Sequence, residues 1–276
     1  MVYADPVAMA FASGDFYEHL GVPYYLSAEK LAGDYAPVRF ERELRLLRRY
    51  VPGGAVLDVG CSTGAFLFHL KTGVGAGLPA ASDAYAVAGV DVVSDALDYA
   101  ESRGIEVIRA PFLEHDFGAR RFDAVTFWAV LEHLAEPRRF LEKAAALMRS
   151  GGFCFVLVPN LNSLAVRFLG KKYRYVMPEH LNYFTHTTLQ TLDTTTNAFK
   201  VVAVLSLHFN PVVIWQDWRR GGAPVAEAER ARLLRRTVAL KQRRSLRPLK
   251  LLYGGVETLL GALRLADNLA LVLRKR

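Results

Sequence analysis

Residues 54–64, Gly-Ala-Val-Leu-Asp-Val-Gly-Cys-Ser-Thr-Gly, constrain this chain more than any other stretch. The apolar run over 55–59 predicts a buried strand, and Gly60-Cys61-Ser62-Thr63-Gly64 predicts a tight turn into an apolar helix that starts at Ala65. Glycine suits such a turn because a Cβ would block it and hold a ligand off the backbone. The turn leaves backbone N–H groups at a helix N-terminus, facing a nucleotide-like cofactor. Its spacing is neither the G-x-G-x-x-G of a dinucleotide fingerprint nor the G-x-x-x-x-G-K-[ST] of a P-loop. The missing third glycine disfavours an NAD-dependent oxidoreductase.

The following segments keep an alternating rhythm. Residues 88–91 read as a short buried strand ending in Asp91, followed by an N-cap serine, Ser94, and a helix over 95–103. An acid at the end of the second strand of an α/β site accepts hydrogen bonds from ribose hydroxyls, which makes Asp91 the candidate. Asp58 and Asp91 lie 33 residues apart, against about 20 in the general fingerprint. The excess, residues 72–85 with Pro79, reads as a surface loop, an insertion of low entropic cost. Strands are expected over 105–109, 122–127 and 153–158, the last stopped by Pro159. Between them, 138–148 is an amphipathic helix with Phe140, Leu141, Ala144, Ala145 and Met148 on one side, closed by Ser150-Gly151-Gly152 as a C-cap. Strands alternating with helices argue a parallel sheet covered on both faces, with ligands beyond the carboxyl ends of the strands. Asp58, Asp91, Phe112 and Trp128 all fall at such ends.

The turn, with an aspartate two residues before its first glycine, resembles motif I of the class I S-adenosylmethionine (SAM)-dependent methyltransferases, roughly D-x-G-x-G-x-G. Ser62 stands where that pattern has its middle glycine. Phe122-Asp123-Ala124-Val125 and the Leu131-Glu132-His133-Leu134 helix start resemble the family's fourth strand and the motif after it. The run Pro-Glu-His-Leu-Asn-Tyr-Phe-Thr at 178–185 resembles the loop after strand five in the ubiquinone O-methyltransferase-like, Methyltransf_23-like branch, where it faces the acceptor. The resemblance covers about residues 38–207 and the terminal strand.

It implies a Rossmann-like, doubly wound seven-stranded sheet of order 3-2-1-4-5-7-6 with SAM as cofactor. The cofactor would lie against Asp58, Gly60, Cys61, Ser62, Thr63, Gly64, Asp91, Val92, Phe112 and Trp128. Asp58 would order the glycine loop and the methionine amino group. Pro111 replaces the usual adenine-contacting acid, which leaves that contact to backbone groups and the Phe112 ring. His180 is the first candidate for a general base or an orienting residue, and His133 the second. The alternatives are that His180 caps a helix or binds a backbone carbonyl, and that His133 packs at a helix start. Tyr17, Tyr25, Glu132, Asn182 and Tyr183 are candidate substrate contacts. Relatives with E-x-x-E-H here hold a divalent metal; with Ala129 in place of the first acid, no required metal is expected.

Around this body, residues 1–50 are expected to form a helical cap over the core of residues 51–207. Residues 37–50 would be a helix with Phe40, Leu44, Leu47 and Tyr50 inward. Residues 208–267 would be a helical insertion before a terminal strand at 268–276, antiparallel at the sheet edge. Two cysteines in 276 residues suit a reducing cytosol and exclude a disulfide scaffold. No secretory signal and no apolar run of membrane-spanning length is present, so a cytoplasmic protein is expected. The formal charge of +8 is uneven: residues 219–276 carry 15 basic and 4 acidic residues, against 20 and 23 elsewhere. A basic helix over 226–244 and an apolar-striped one from Pro248, weakened or bent at Gly254-Gly255, fit either a solvated outer face or contact with an anionic lipid surface. Nucleic acid is a weaker fit, since no RNA-binding module or stacking platform accompanies the charge. The acceptor is expected to be a small or lipid-linked molecule, with O-methylation favoured. A non-catalytic partner protein of the same fold and an RNA methyltransferase are the alternatives.

Overall fold

The computed structural model describes residues 2–3, 22–73, 84–221, 225–242 and 247–276. Phe16, Tyr17 and most of the loop expected at 72–85 lie outside them; Thr72 ends a helix and Tyr85 begins a strand. Seven strands form one sheet: β1 (Gly54–Val59), β2 (Tyr85–Asp91), β3 (Glu106–Arg109), β4 (Phe122–Trp128), β5 (Met148–Pro159), β6 (Phe199–Leu207) and β7 (Asn268–Lys275). Their order is 3-2-1-4-5-7-6, as expected, with β7 antiparallel to both neighbours and the other pairings parallel. β7 therefore lies inside the sheet and β6 is the edge, a correction to the edge position expected of the terminal strand. Val56, Leu57, Val125, Phe127, Val156 and Leu271 are wholly buried. Such unbroken apolar runs belong to strands covered by helices on both faces.

Beyond a single helical turn at Val22–Tyr25, the α-helices among the described residues are α1 (Ala28–Asp34), α2 (Glu41–Tyr50), α3 (Ala65–Thr72), α4 (Ser94–Ser102), α5 (Pro137–Leu147), α6 (Leu164–Leu169), α7 (His186–Thr196), α8 (Pro211–Arg220), α9 (Glu227–Gln242) and α10 (Arg247–Ala262). Leu44 and Leu47 of α2, Phe66, Leu67 and Leu70 of α3 and Leu97 of α4 cover one face of the sheet. Leu141 and Ala144 of α5 and Leu189 of α7 cover the other. The N-terminal region is not wholly helical: Val2–Tyr3 pairs antiparallel with Asn182–Tyr183.

Several local expectations fail for identifiable reasons. Met148, next after α5, is already extended, so β5 starts without a C-cap. Ser150-Gly151-Gly152 lie inside β5 as a bulge, where 148 pairs with 122 and 153 with 124, and Gly151 takes φ +76. Ser94 is the first residue of α4 rather than its cap, because the Asp91 carboxylate already accepts the Val92 and Val93 N–H groups. Leu131–His133 is a single 3-10 turn, and α5 begins only at Pro137. α10 runs unbroken through Gly254-Gly255.

Two packing contacts set the upper edge of the molecule. α9 crosses α1 at Gly33, where a Cβ would stand 2.7 Å from Leu234 Cγ. Asn160, buried at the end of β5, donates from Nδ2 to the carbonyls of Arg264 (3.0 Å) and Ala266 (2.9 Å) and accepts the Asn162 N–H (3.0 Å). This side chain clips the loop after β5 to the entry of β7. Replacing Asn160 by Ala strands buried carbonyls and is expected to cost about 2–4 kcal/mol for the lost bonds. A denaturant titration of the variant checks it.

Candidate active site

The glycine turn brings the backbone to the carboxyl edge of the sheet in a left-handed zigzag. Gly60, Ser62 and Gly64 have φ of 74°, 49° and 71°. At Gly60 a Cβ would come within 2.7 Å of Val130 Cγ2, and at Gly64 within 2.8 Å of the Ala100 Cβ, so both positions exclude larger residues. Ser62 adopts the left-handed region with a side chain, a conformation that costs roughly 1–2 kcal/mol. Its N–H is held by Asp91 Oδ2 at 2.8 Å, while Oδ1 accepts Val92 N (2.7 Å) and Val93 N (3.1 Å). Asp91 therefore orders the loop. Asp58, expected in that role, is buried and accepts the Thr126 hydroxyl at 2.5 Å. Burial, helped by the nearby Asp91 charge, pushes its pKa up to about 7.

Unpartnered polar groups gather at the same edge. Among the described residues, six have buried side-chain nitrogen or oxygen atoms without a hydrogen-bond partner. Only Arg48 lies elsewhere, beside Tyr85 at the start of β2. Trp128 Nε1 stands at the end of β4, Glu132 Oε2 on the turn after it, Glu43 Oε2 beside His208 after β6, Asp267 Oδ1 before β7, and Arg230 Nε on α9. Buried polar groups are ordinarily satisfied, so this concentration marks a crevice built for a ligand. Ala129, at φ 57°, adds backbone strain at the same point.

One cluster in the crevice carries chemistry. His133 Nδ1 lies 2.9 Å from Glu179 O, and His180 Nδ1 lies 2.9 Å from Tyr175 O. A carbonyl only accepts, so both Nδ1 atoms are the protonated ones and both Nε2 atoms keep a lone pair. The rings meet edge to face at 4.7 Å, and Glu132 completes a set whose ligand atoms lie within 4.8 Å of one another. Burial lowers His133 and, with the His133 charge, brings His180 down to about 3; it raises Glu132 to about 8. His180 is thus anchored by a backbone carbonyl, the alternative named for it, with its Nε2 lone pair left as an acceptor. Two imidazoles and an unpartnered carboxylate oxygen also match the donor set of a borderline divalent ion such as zinc or manganese. The missing acid at Ala129 led to the expectation of no metal; the fold nevertheless brings three donors together.

Residues 34–203 match a sequence family described as "Methyltransferase domain". The chain belongs to this family. It is similar to the ubiquinone biosynthesis O-methyltransferase of Caulobacter vibrioides, 30% identical over 52% of this chain and 58% of that protein. The chain spans about three fifths of the length of the curated relatives it matches. In fold it is similar to a SAM-dependent methyltransferase of Thermotoga maritima, a possible histamine N-methyltransferase (TM-score 0.58, 15% identity, 95% of this chain and 99% of that one). It is also similar to the N-methyltransferase NodS of Bradyrhizobium japonicum with bound S-adenosylhomocysteine (TM-score 0.52, 16% identity, 92% and 95%).

Within this methyltransferase domain the expected site residues divide. Gly60, Ser62, Gly64, Asp91, Val92 and Trp128 line the turn or the strand ends, and Glu132, His133 and His180 converge beyond them. Thr63 is buried and offers its carbonyl to the Tyr35 hydroxyl, and Cys61 packs its thiol against Gly89, so both face inward. Phe112 is a correction: its ring is buried, stacked on Phe140 at 5.5 Å and capped by Lys143, and is committed to the core. Asn182 is another. Its Nδ2 donates to Leu131 O and Leu134 O, which clamps the turn carrying Glu132 and His133. Tyr183 donates its hydroxyl to Met177 O, and half-buried Tyr25 stacks edge-on against Tyr24 in the cap. Glu43, Asp267 and Arg230 were not anticipated. An acid bordering the last strand was a usable signal for Asp267; nothing local separates Arg230 from the other arginines of α9. As built, the triad is competent to bind one divalent ion. Calorimetric titration with Zn²⁺ or Mn²⁺ is expected to show one-to-one binding that Glu132→Gln weakens at least tenfold.

Proposed function

We propose that this chain is a SAM-dependent methyltransferase that transfers a methyl group to a hydroxyl of a small or lipid-linked acceptor. The observation that carries the reading is the Asp91 carboxylate, partly buried at the end of β2 and joined to a left-handed glycine turn. Its remaining lone pair, on Oδ2, suits a ribose hydroxyl, while the turn lets a cofactor approach the backbone. Burial raises the pKa of the Asp58 carboxyl, and a cationic neighbour such as an aminoacyl sulfonium would favour its charged form.

The family supplies a donor already activated as a sulfonium, so the main contribution of the protein is alignment, worth roughly 7–11 kcal/mol at best. When bound, that donor would supply an electrophilic methyl carbon for the acceptor oxygen, with the carbon–sulfur electron pair leaving in the thioether product. The neutral Nε2 atoms of His133 and His180 accept a hydrogen bond from the hydroxyl and point its oxygen at the methyl. As the new C–O bond forms, that proton becomes far more acidic, and an imidazole of lowered pKa suffices to take it. Alternatively, a divalent ion held through those same Nε2 lone pairs and Glu132 would supply orientation and acidification of the hydroxyl in their place. The named relatives that methylate oxygen support a hydroxyl acceptor.

Asp91→Ala is expected to lose at least tenfold in SAM affinity by calorimetry; unchanged affinity sinks the assignment. His180→Ala should lower turnover by 10²-fold or more with SAM binding retained. Turnover is read with methyl-labelled SAM and an extract split into lipid, soluble, RNA and protein fractions. Label in RNA would favour an RNA methyltransferase, and SAM binding with no label a non-catalytic partner.

The outer face of α10 favours a lipid surface as neighbour. No helix among the described residues is long and apolar enough to cross a membrane. Yet Leu252, Val256, Leu259 and Leu263 recur at helical spacing and point outward, with Leu251 79% exposed. Trp215, Trp218 and Phe168 are also exposed, beside Arg219 and Arg220. Basic amphipathic surfaces with tryptophan lie in anionic interfaces. Sedimentation with phosphatidylglycerol vesicles should capture the protein, and Leu252→Ser with Leu259→Ser should release most of it. Failure of the wild-type protein to sediment removes this reading.

A further inference from the structure

Several cations around the crevice are matched with carboxylates. Arg39 bonds Asp34 through Nε at 3.2 Å, and Lys30 shares the same carboxylate. Arg174 grips Asp217 with Nη2 at 2.7 Å and Nε at 3.0 Å. Arg42 pairs with Glu257, and Arg220 with Glu229. Arg230 has no such partner among the described residues, and its Nε is buried with no hydrogen bond.

The packing of α9 explains how it is held there. Ala231 is buried, Leu233 packs with Tyr173, Leu169 and Val213, and Leu234 presses on Gly33 of α1. These contacts turn one face of α9 inward. Arg232, Arg235 and Arg236 fall on the exposed face, whereas Arg230 is partly buried, one turn before Leu234. Tyr175, whose carbonyl holds His180 Nδ1, packs against the same cluster as Leu233, so this face of α9 borders the segment that carries His180. A partly buried guanidinium whose Nε is left without a partner is costly unless a ligand completes it. Its planar fork matches an oxyanion by paired, charge-assisted hydrogen bonds.

We propose that Arg230 is the anchor for an oxyanion, a carboxylate or a phosphate, carried by the acceptor molecule. The inference rests on the reading of the His133–His180 crevice as the acceptor site. It gives α9 a function in the same crevice: the basic insertion selects the acceptor by charge while the histidines hold its hydroxyl. A neutral acceptor of the same size would leave the guanidinium unpaired and bind more weakly.

The test titrates the purified protein, with and without S-adenosylhomocysteine, against three matched probes: 3-hydroxybenzoate, 3-hydroxyphenyl phosphate and neutral 3-hydroxybenzyl alcohol. One of the oxyanion probes is expected to bind at least tenfold more tightly than the alcohol, and which one identifies the anion. Arg230→Gln should reduce that preference below threefold, and Arg230→Lys should retain part of it. Both variants should melt cooperatively and keep wild-type S-adenosylhomocysteine affinity. Equal binding of the probes, no binding of either oxyanion, or a preference that survives Arg230→Gln overturns the proposal. Failure of the wild-type protein to bind S-adenosylhomocysteine would instead count against the methyltransferase reading, whereas the role of Arg230 stands or falls with the preference among probes.

Discussion

The Asp91 carboxylate accepts three backbone N–H groups at once, from Ser62 on the glycine turn and from Val92 and Val93 at the head of α4. Through it β1, β2 and two helices meet at one point on the carboxyl edge of the sheet. Such multiple acceptance is strong because the acceptor is charged and partly desolvated. The left-handed backbone of Gly60, Ser62 and Gly64 is stable only with that clamp on one side and tight packing on the other. Distortion at either end would reach Trp128 and the turn of Glu132, because Val130 rests on Gly60.

Much of this was legible in the residues, and the reason is local. The strands are apolar runs ended by glycine, acid or proline, so their existence, their parallel arrangement and their carboxyl-end residues follow from pattern alone. The glycine turn and Asp91 belong to the same class, since their positions are dictated by backbone geometry. What was missed depends on distant chain. The backbone after α5 had no local reason to enter a bulged strand; β4 imposes it. Asn182 reads as a polar loop residue until the turn at 131–134 is placed beneath it. Phe112 sits at a strand end, as a cofactor contact should, but Phe140 and Lys143 of α5 claim its ring. Arg230 is one arginine of a basic helix until Gly33 fixes which face turns inward.

The crevice keeps its charge low. Two imidazoles are held neutral, Asp58 and Glu132 have pKa values raised to about 7 and about 8, and most surrounding cations are neutralised in pairs. In such surroundings an added charge on a ligand is felt strongly, because little water or counter-charge screens it. The basic residues of 219–276 contrast with this: most of those described lie on exposed faces, where solvent and salt damp them. Sequence charge alone therefore says more about the exterior than about the chemistry inside.

The place of β7 between β5 and β6 has a consequence for biosynthesis. As the chain leaves the ribosome, β5 emerges more than a hundred residues before the strand that covers its open side, and several helices are made in between. Throughout that interval the apolar edge of β5 offers unpaired N–H and C=O groups, the condition in which nascent chains pair with one another. β6, whose sheet partner is β7, has no place to join until the same strand arrives. Closure of the sheet is thus a late, long-range event, and a chaperone that shields β5 during translation would act on the step where this protein is most exposed to aggregation.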